Sequence, residues 1–220
     1  MEAKRIQKIG GICAILEAFI YIAAFIVYGG ILVYPEVNSG AIEELNFLSN
    51  NYIILSVLNF VSYVLFGILL AVLVLAIHQR LKNDAPNFSR LASIFGIIWV
   101  GLVIASGMIT NIGLTSILEI GATDPEQAMQ IWNSVSIVSE GLGGGNEIVG
   151  GIWVLFISII ALKGRLFSTA LHTLGIFVGV AGILTVYPLT IFTEIFGITQ
   201  IIWFLWIGIV MIRKPMILKH

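Results

Sequence analysis

Charge is what this chain has least of. Only 10% of its 220 residues are Asp, Glu, Lys or Arg, where a soluble domain carries roughly 25%. With 59% apolar residues and a mean hydropathy of +1.05, too little polar surface remains to coat a water-soluble globule. The single cysteine, Cys13, precludes an intrachain disulfide, leaves the redox compartment open and reads as a small buried hydrophobe. The three histidines, His78, His172 and His220, belong to no His-Glu-x-x-His helix or Cys-His cluster, so no metal site is expected. No Gly-x-Ser-x-Gly elbow, P-loop or dinucleotide fingerprint occurs, and no cofactor is called for. Basic residues form no stripe suited to nucleic acid. An intramembrane enzyme is the least supported class.

What the chain does have is long apolar runs, at about Ile9 to Tyr34, Tyr52 to Ile77, Leu91 to Leu118, Ile148 to Leu162, Leu171 to Phe192 and Ile195 to Ile212. About 20 helical residues cross ~30 Å of hydrocarbon, so this pattern predicts an all-α, single-domain polytopic membrane protein with six spans. The fourth run is the shortest and needs Gly143 to Glu147 inside the membrane as well. The first run reads as span one rather than a cleaved signal peptide, because its apolar core exceeds a signal h-region and no A-x-A-like site follows.

All eleven basic residues fall in alternate segments: Lys4, Arg5 and Lys8, then Arg80, Lys82 and Arg90, then Lys163 and Arg165, then Arg213, Lys214 and Lys219. Because cytoplasmic loops carry the Lys/Arg excess, both termini and both basic loops are expected in the cytoplasm of a plasma-membrane protein. The opposite segments carry Glu36, Glu43, Glu44, Glu119, Asp124, Glu126 and Glu194. Pro35 to Asn51 reads as loop, and Asp84-Ala85-Pro86-Asn87 as a turn. Thr123-Asp124-Pro125-Glu126 has capping-box spacing with proline in the first turn, so a short outer amphipathic helix should start there. The glycine-rich run Gly141 to Gly145 should then break or hinge the chain near the outer membrane edge. Alanine at Gly143, Gly144 and Gly145 would favour a straighter helix by up to ~3 kcal/mol.

Several polar residues lie within the runs. Glu17 falls near mid-membrane, where a carboxylate is expensive and desolvation favours the neutral acid. Cys13, Glu17, Tyr21, Ala24 and Tyr28 share a helical face. Two readings of Glu17 stand side by side: a functional group facing a cavity, or a protonated acid hydrogen-bonded between helices. Glu147, with Asn146 and glycine-freed backbone, is either an outer-half site or a headgroup-level residue beside tight packing. Ser56, Asn59 and Tyr63 line one face, and Thr199, Gln200 and Trp203 another, as interhelical hydrogen-bonders before ligand contacts. Gly175, Gly179 and Gly182 form a small-residue stripe suited to close helix packing. Trp99, Trp132, Trp153, Trp203 and Trp206 read as belt or packing residues.

The segment Gly143-Gly144-Gly145-Asn146-Glu147-Ile148-Val149-Gly150-Gly151 with Trp153, then Leu174-Gly175, Gly179 to Thr185 with Pro188, and Gly197 to Gln200 with Trp203, Trp206 and Gly208, resembles a bacterial multi-pass family known as domain of unknown function 4386. The resemblance covers nearly the whole chain. It implies a six-helix prokaryotic membrane protein and supplies no substrate, reaction or catalytic residue.

From the residues comes a candidate ligand site, a polar pocket in the outer half bounded by Glu17, Asn59, Asn146, Glu147 and Gln200, with Gly143, Gly144 and Gly145 as its hinge. One function class is a small-solute binder or proton-coupled transporter. The other is a non-catalytic sensor or assembly partner, whose glycine stripes bind another helix or a second copy of the chain. The bilayer is the common partner of both.

Overall fold

The computed structural model describes residues 2–36, 39–144, 147–164, 166–187 and 189–213. Every regular element among them is helical: α1 (Glu2–Ile26), α2 (Ala41–Asn50), α3 (Tyr52–Asn59), α4 (Phe66–Leu81), α5 (Pro86–Gly121), α6 (Pro125–Ser139), α7 (Ile148–Gly164), α8 (Thr169–Leu184) and α9 (Thr190–Arg213). Wide π-type turns continue α1 through Val27–Ile31, join α3 to α4 over Phe60–Leu65, and follow α6 over Glu140–Gly144.

Six helices close a ring. α1 packs on α4, α4 on α5, α5 on α7, α7 on α8, α8 on α9, and α9 returns to α1. Neighbours run antiparallel, which follows from helices joined in sequence by short connections. Each of the six turns large apolar side chains away from the ring, including Phe19, Ile68, Ile98, Ile159, Phe177 and Ile202. A water-soluble bundle would hide one face and hydrate the other. Here both faces are apolar, and five helical stretches are long and apolar enough to cross a membrane.

The interior is built on aromatic rings. Tyr21, Phe66, Trp99, Trp153, Trp203 and Phe204 form a closed circuit, with successive centroids 5.5, 5.9, 5.8, 5.8, 5.6 and 6.3 Å apart. Edge and tilted contacts dominate, as ring quadrupoles prefer. Every helix of the ring except α8 supplies a member, and α8 answers with glycine: Gly175 sits against Ser158 and the Trp203 indole nitrogen. Farther along, a methyl group at Gly151 would lie 2.7 Å from both the Gly179 carbonyl oxygen and the Ile183 nitrogen. The α7 and α8 backbones therefore touch, and the stripe Gly175, Gly179 and Gly182 is used inside the chain.

A second, smaller tier covers the end of the ring opposite the basic residues. The 36-residue α5 is about 54 Å long, and α6 folds back along its distal half. Gly113 receives Val135, and Ser106 and Thr110 both bond Ser139 at 2.7 Å. Leu48 of α2, Leu55, Leu114, Ile117, Ala128 and Met129 form this tier's core. α2 corrects the expectation of plain loop over Pro35 to Asn51: Leu45 and Leu48 recur at helical spacing, and Leu45 packs on Gly121.

Two further corrections concern helix ends. α6 starts where expected, but its cap is Asp124, whose Oδ1 accepts the Gln127 N–H at 3.0 Å, while Thr123 Oγ1 donates back to the Ile120 carbonyl. Pro125 at the first helical position makes its predecessor the capping residue. The fifth apolar run also does not continue to Phe192. α8 ends at Leu184, and Phe192 already belongs to α9. Pro188 in the sequence cannot donate to a continuing helix. The shortest crossing of the ring is thus α8, with 16 residues, since α4, also of 16, is continued by α3 through the wide turn, and α7 of the fourth span has 17.

Backbone contact between α7 and α8 yields a test. Gly151→Ala should overpack the seam by about 1–3 kcal/mol and lower the melting temperature in detergent. Gly141→Ala, which meets nothing within 4 Å, should stay within about 0.5 kcal/mol. Equal melting temperatures for the two variants would show slack in the seam.

Candidate functional site

Where the two tiers meet, the distal end holds two cavities. The outer one, of about 670 Å³, is walled by α2, α3, α5 and α6 and opens beside Glu36, Glu44 and Glu140. The inner one, of about 240 Å³, reaches down to the aromatic circuit, with Tyr21 and Phe66 at its base. Tyr28 and Tyr63 line both, so their rings stand between the two spaces.

The inner cavity carries a carboxylic acid and the helix break together. Gly143 and Glu147 both line it. Gly143 has φ 141°, a conformation L side chains rarely adopt. The break therefore needs glycine there for its backbone angle. Space is not the constraint, since a methyl group would meet Val103 no closer than 3.6 Å. Alanine at Gly143 would oppose the observed bend without any clash. Gly144 lies in the same π-type turn, whereas Gly145 and Asn146 lie outside the described residues.

Glu147 is 8% exposed and held at three points. Its N–H donates to Thr185 Oγ1 at 2.8 Å, its carbonyl accepts the Gly151 N–H at 2.7 Å to begin α7, and its Oε2 accepts the Trp99 Nε1–H at 3.0 Å. Oε1 is left to the cavity. Thr185 in turn donates to the Gly182 carbonyl at 2.7 Å, so one residue, Glu147, links α5, α7 and the end of α8 through its side chain and its backbone.

Of the five residues read as one pocket, Asn146 lies outside the described residues and the other four are distributed over three places. Asn59 lines the outer cavity, where its Oδ1 accepts the Tyr28 hydroxyl at 3.0 Å and its Nδ2 donates to Asn111 Oδ1 at 3.2 Å. Glu147 lines the inner one. Glu17 and Gln200, both 0% exposed, line neither and sit in the packed ring, and none of their side-chain oxygens or nitrogens has a hydrogen-bond partner. Glu17 shares a helical face with Tyr21, Ala24 and Tyr28, which do line the inner cavity, but it lies one turn, about 6 Å, beneath it.

Sequence reasoning missed Asn111, Ser139 and Glu140. Asn111 was detectable as an amide within the third apolar run, and it also donates to the Ser56 carbonyl at 3.2 Å. Trp99, taken for packing, is also the donor to Glu147. Compared with protein-family models, curated proteins and solved structures, the chain matches none.

Five substitutions test this geometry through the melting temperature in detergent. Trp99→Phe leaves Oε2 of a buried carboxyl without its donor and should cost about 1–3 kcal/mol, while Glu147→Gln keeps an acceptor and should be nearly neutral. Glu17→Leu removes two unpartnered buried oxygens and should leave stability equal or higher, with Glu17→Gln tolerated for folding. A clear loss with Glu17→Leu would assign that carboxyl a structural bond. Gly143→Ala should cost about 1–3 kcal/mol through its backbone angle alone.

Proposed function

We propose that this is a bacterial plasma-membrane protein with six spans and cytoplasmic termini that binds a small solute from the outer side and couples its movement to protonation of Glu147. The juxtaposition of Gly143 and Glu147 on one cavity wall carries this reading. A carboxyl poised at a flexible helix break is a group whose access to water changes when the break bends. Burial in an apolar space favours the neutral form when closed and ionisation when wet. Glu147 is the proton-carrying residue, Trp99 orients it, and Gly143 permits the bend. α8 is the fifth span in chain order and brings the count to six, its 16 residues reaching about 24 Å. Kinship with domain of unknown function 4386 belongs to the same proposal and rests on the residues quoted above.

The rival reading, an assembly partner recruited through glycine stripes, loses its main support because Gly175, Gly179 and Gly182 are filled by Ser158, Leu155, Gly151 and Phe196 of the same chain.

Purified protein in liposomes loaded with a pH-sensitive dye provides the functional test. A pulse from a panel of small solutes should move protons, and Glu147→Gln should abolish the signal without lowering the melting temperature. Proton movement that survives Glu147→Gln would remove Glu147 from the mechanism. For topology, alkaline phosphatase fused after Arg213 should be inactive and one inserted after Asp124 active. The reverse pattern would invert the orientation.

A further inference from the structure

Resting on the binding role just proposed, we infer that the ligand is a monovalent organic cation with an apolar body, and that it competes with a proton for the Glu147 carboxylate. Charge balance leads there. The inner cavity is lined by Tyr21, Phe25, Tyr28, Tyr63 and Phe66 around one acid, with no Lys, Arg or His on its wall. The titratable groups facing Glu147 are Tyr21 of α1 and Tyr63 of the α3–α4 turn, with Glu17 and Glu140 the other acids in electrostatic reach of those two rings. Among the described residues, no basic group lines the cavity or is in electrostatic reach of those rings. An ionised carboxylate in such a place needs a positive partner, and two candidates remain: a proton, or a cation brought by the ligand.

The wall favours a diffuse organic charge over other ligands. Aromatic faces attract cations, most strongly where water is excluded. A sugar or other neutral polar solute would bring the carboxylate no positive partner, and Asn59 and Ser139 of the wall are already paired, which leaves it only scattered polar groups such as the single unpartnered hydroxyls of Ser39 and Ser62. An anion would pass Glu36, Glu44 and Glu140 on the way in and meet no cationic group. A bare metal ion lacks its ligand set, since no group of three metal-binding side chains occurs among the described residues.

The route in has the same sign. All basic residues of the sequence lie on the opposite segments, so the distal loops present only acids, a field that concentrates cations at the outer cavity. The head group then passes Tyr28 and Tyr63 to reach Oε1 of Glu147. One positive charge enters as one proton leaves, so the site's charge is unchanged, and exchange of the two is the chemistry this supports.

Full-length protein in detergent, titrated by calorimetry with phenyltrimethylammonium, tests the inference against two controls of similar shape, neutral tert-butylbenzene and anionic benzenesulfonate. Phenyltrimethylammonium should bind with one-to-one stoichiometry, at least tenfold more tightly than either control. Its affinity should fall as pH drops, approaching tenfold per unit once Glu147 is mostly protonated. Glu147→Gln should weaken binding at least tenfold and flatten the pH dependence, while Glu147→Asp should retain that dependence. Tyr63→Leu should weaken binding without changing the slope. Equal affinity for tert-butylbenzene, preference for benzenesulfonate, or pH dependence surviving in Glu147→Gln would overturn the inference. In the liposome assay, proton movement driven only by uncharged or anionic solutes would keep the coupled function and sink the cation. Phenyltrimethylammonium binding without proton movement would do the opposite.

Discussion

The contact on which the rest of this structure depends is the hydrogen bond from the Trp99 indole to the Glu147 carboxyl. Trp99 is a link of the aromatic circuit in the ring's interior, and Glu147 is the residue from which α7 starts. Their bond fixes where the α7 helix begins against α5, and the Glu147 N–H fixes the same point against Thr185 after α8. Above this junction Gly143 breaks the helix with a φ of 141°. Below it, α7 and α8 are locked backbone to backbone at Gly151, Gly179 and Gly182. A rigid lower seam and a glycine break directly above it make the inner cavity the place where two mechanical regimes meet.

Apolar interiors of this kind give polar groups few places to go, and the two tiers treat them differently. In the distal tier several polar side chains pair with one another: Tyr28 with Asn59, Asn59 with Asn111, Ser106 and Thr110 with Ser139. Such pairing holds helices in register at little net cost. In the ring, Glu17 and Gln200 have no partner at all. Unpaired groups in a dry interior are destabilising, so the stability of the ring has to come from packing: the aromatic circuit and the close glycine seams.

The apolar helices were legible because charge is so scarce that clusters of Lys and Arg mark segment ends, and the runs Tyr52 to Ile77 and Ile195 to Ile212 fall within helical stretches. The glycine break was legible too, since no other stretch gathers as many glycines before a polar pair. What sequence could not convey was which face of each helix looks inward. In a helix apolar all round, periodicity carries no such signal, and so Glu17 and Glu147 looked alike although one is sealed in the ring and the other opens on a cavity. Asn59 and Glu147 were visible as polar outliers. Tyr28 and Tyr63 were visible only as neighbours on a stripe, and their position between two cavities depends on tertiary packing. α2 was hidden for another reason: with Glu43 and Glu44 in a ten-residue helix, its polarity reads as loop until Leu45 finds Gly121.

The arrangement of charge along the molecule completes the argument about what the distal side can accept. A bundle whose described basic residues are all at one end has a polarity that no single interior contact could create, and among the described charged residues it leaves the other end with acids only. Within that end, acids stand at the rim of the outer cavity, Asn59 and Ser139 of its wall are already paired, and Tyr28 and Tyr63 stand between it and the inner cavity of Glu147. On the proposed reading, anions are repelled at the rim, neutral solutes bring the carboxylate no positive partner, and bare metal ions find no group of three metal-binding side chains among the described residues. The carboxyl at the end is a group whose charge state, and hence whose affinity for a cation, responds to the water that a bend at Gly143 would admit.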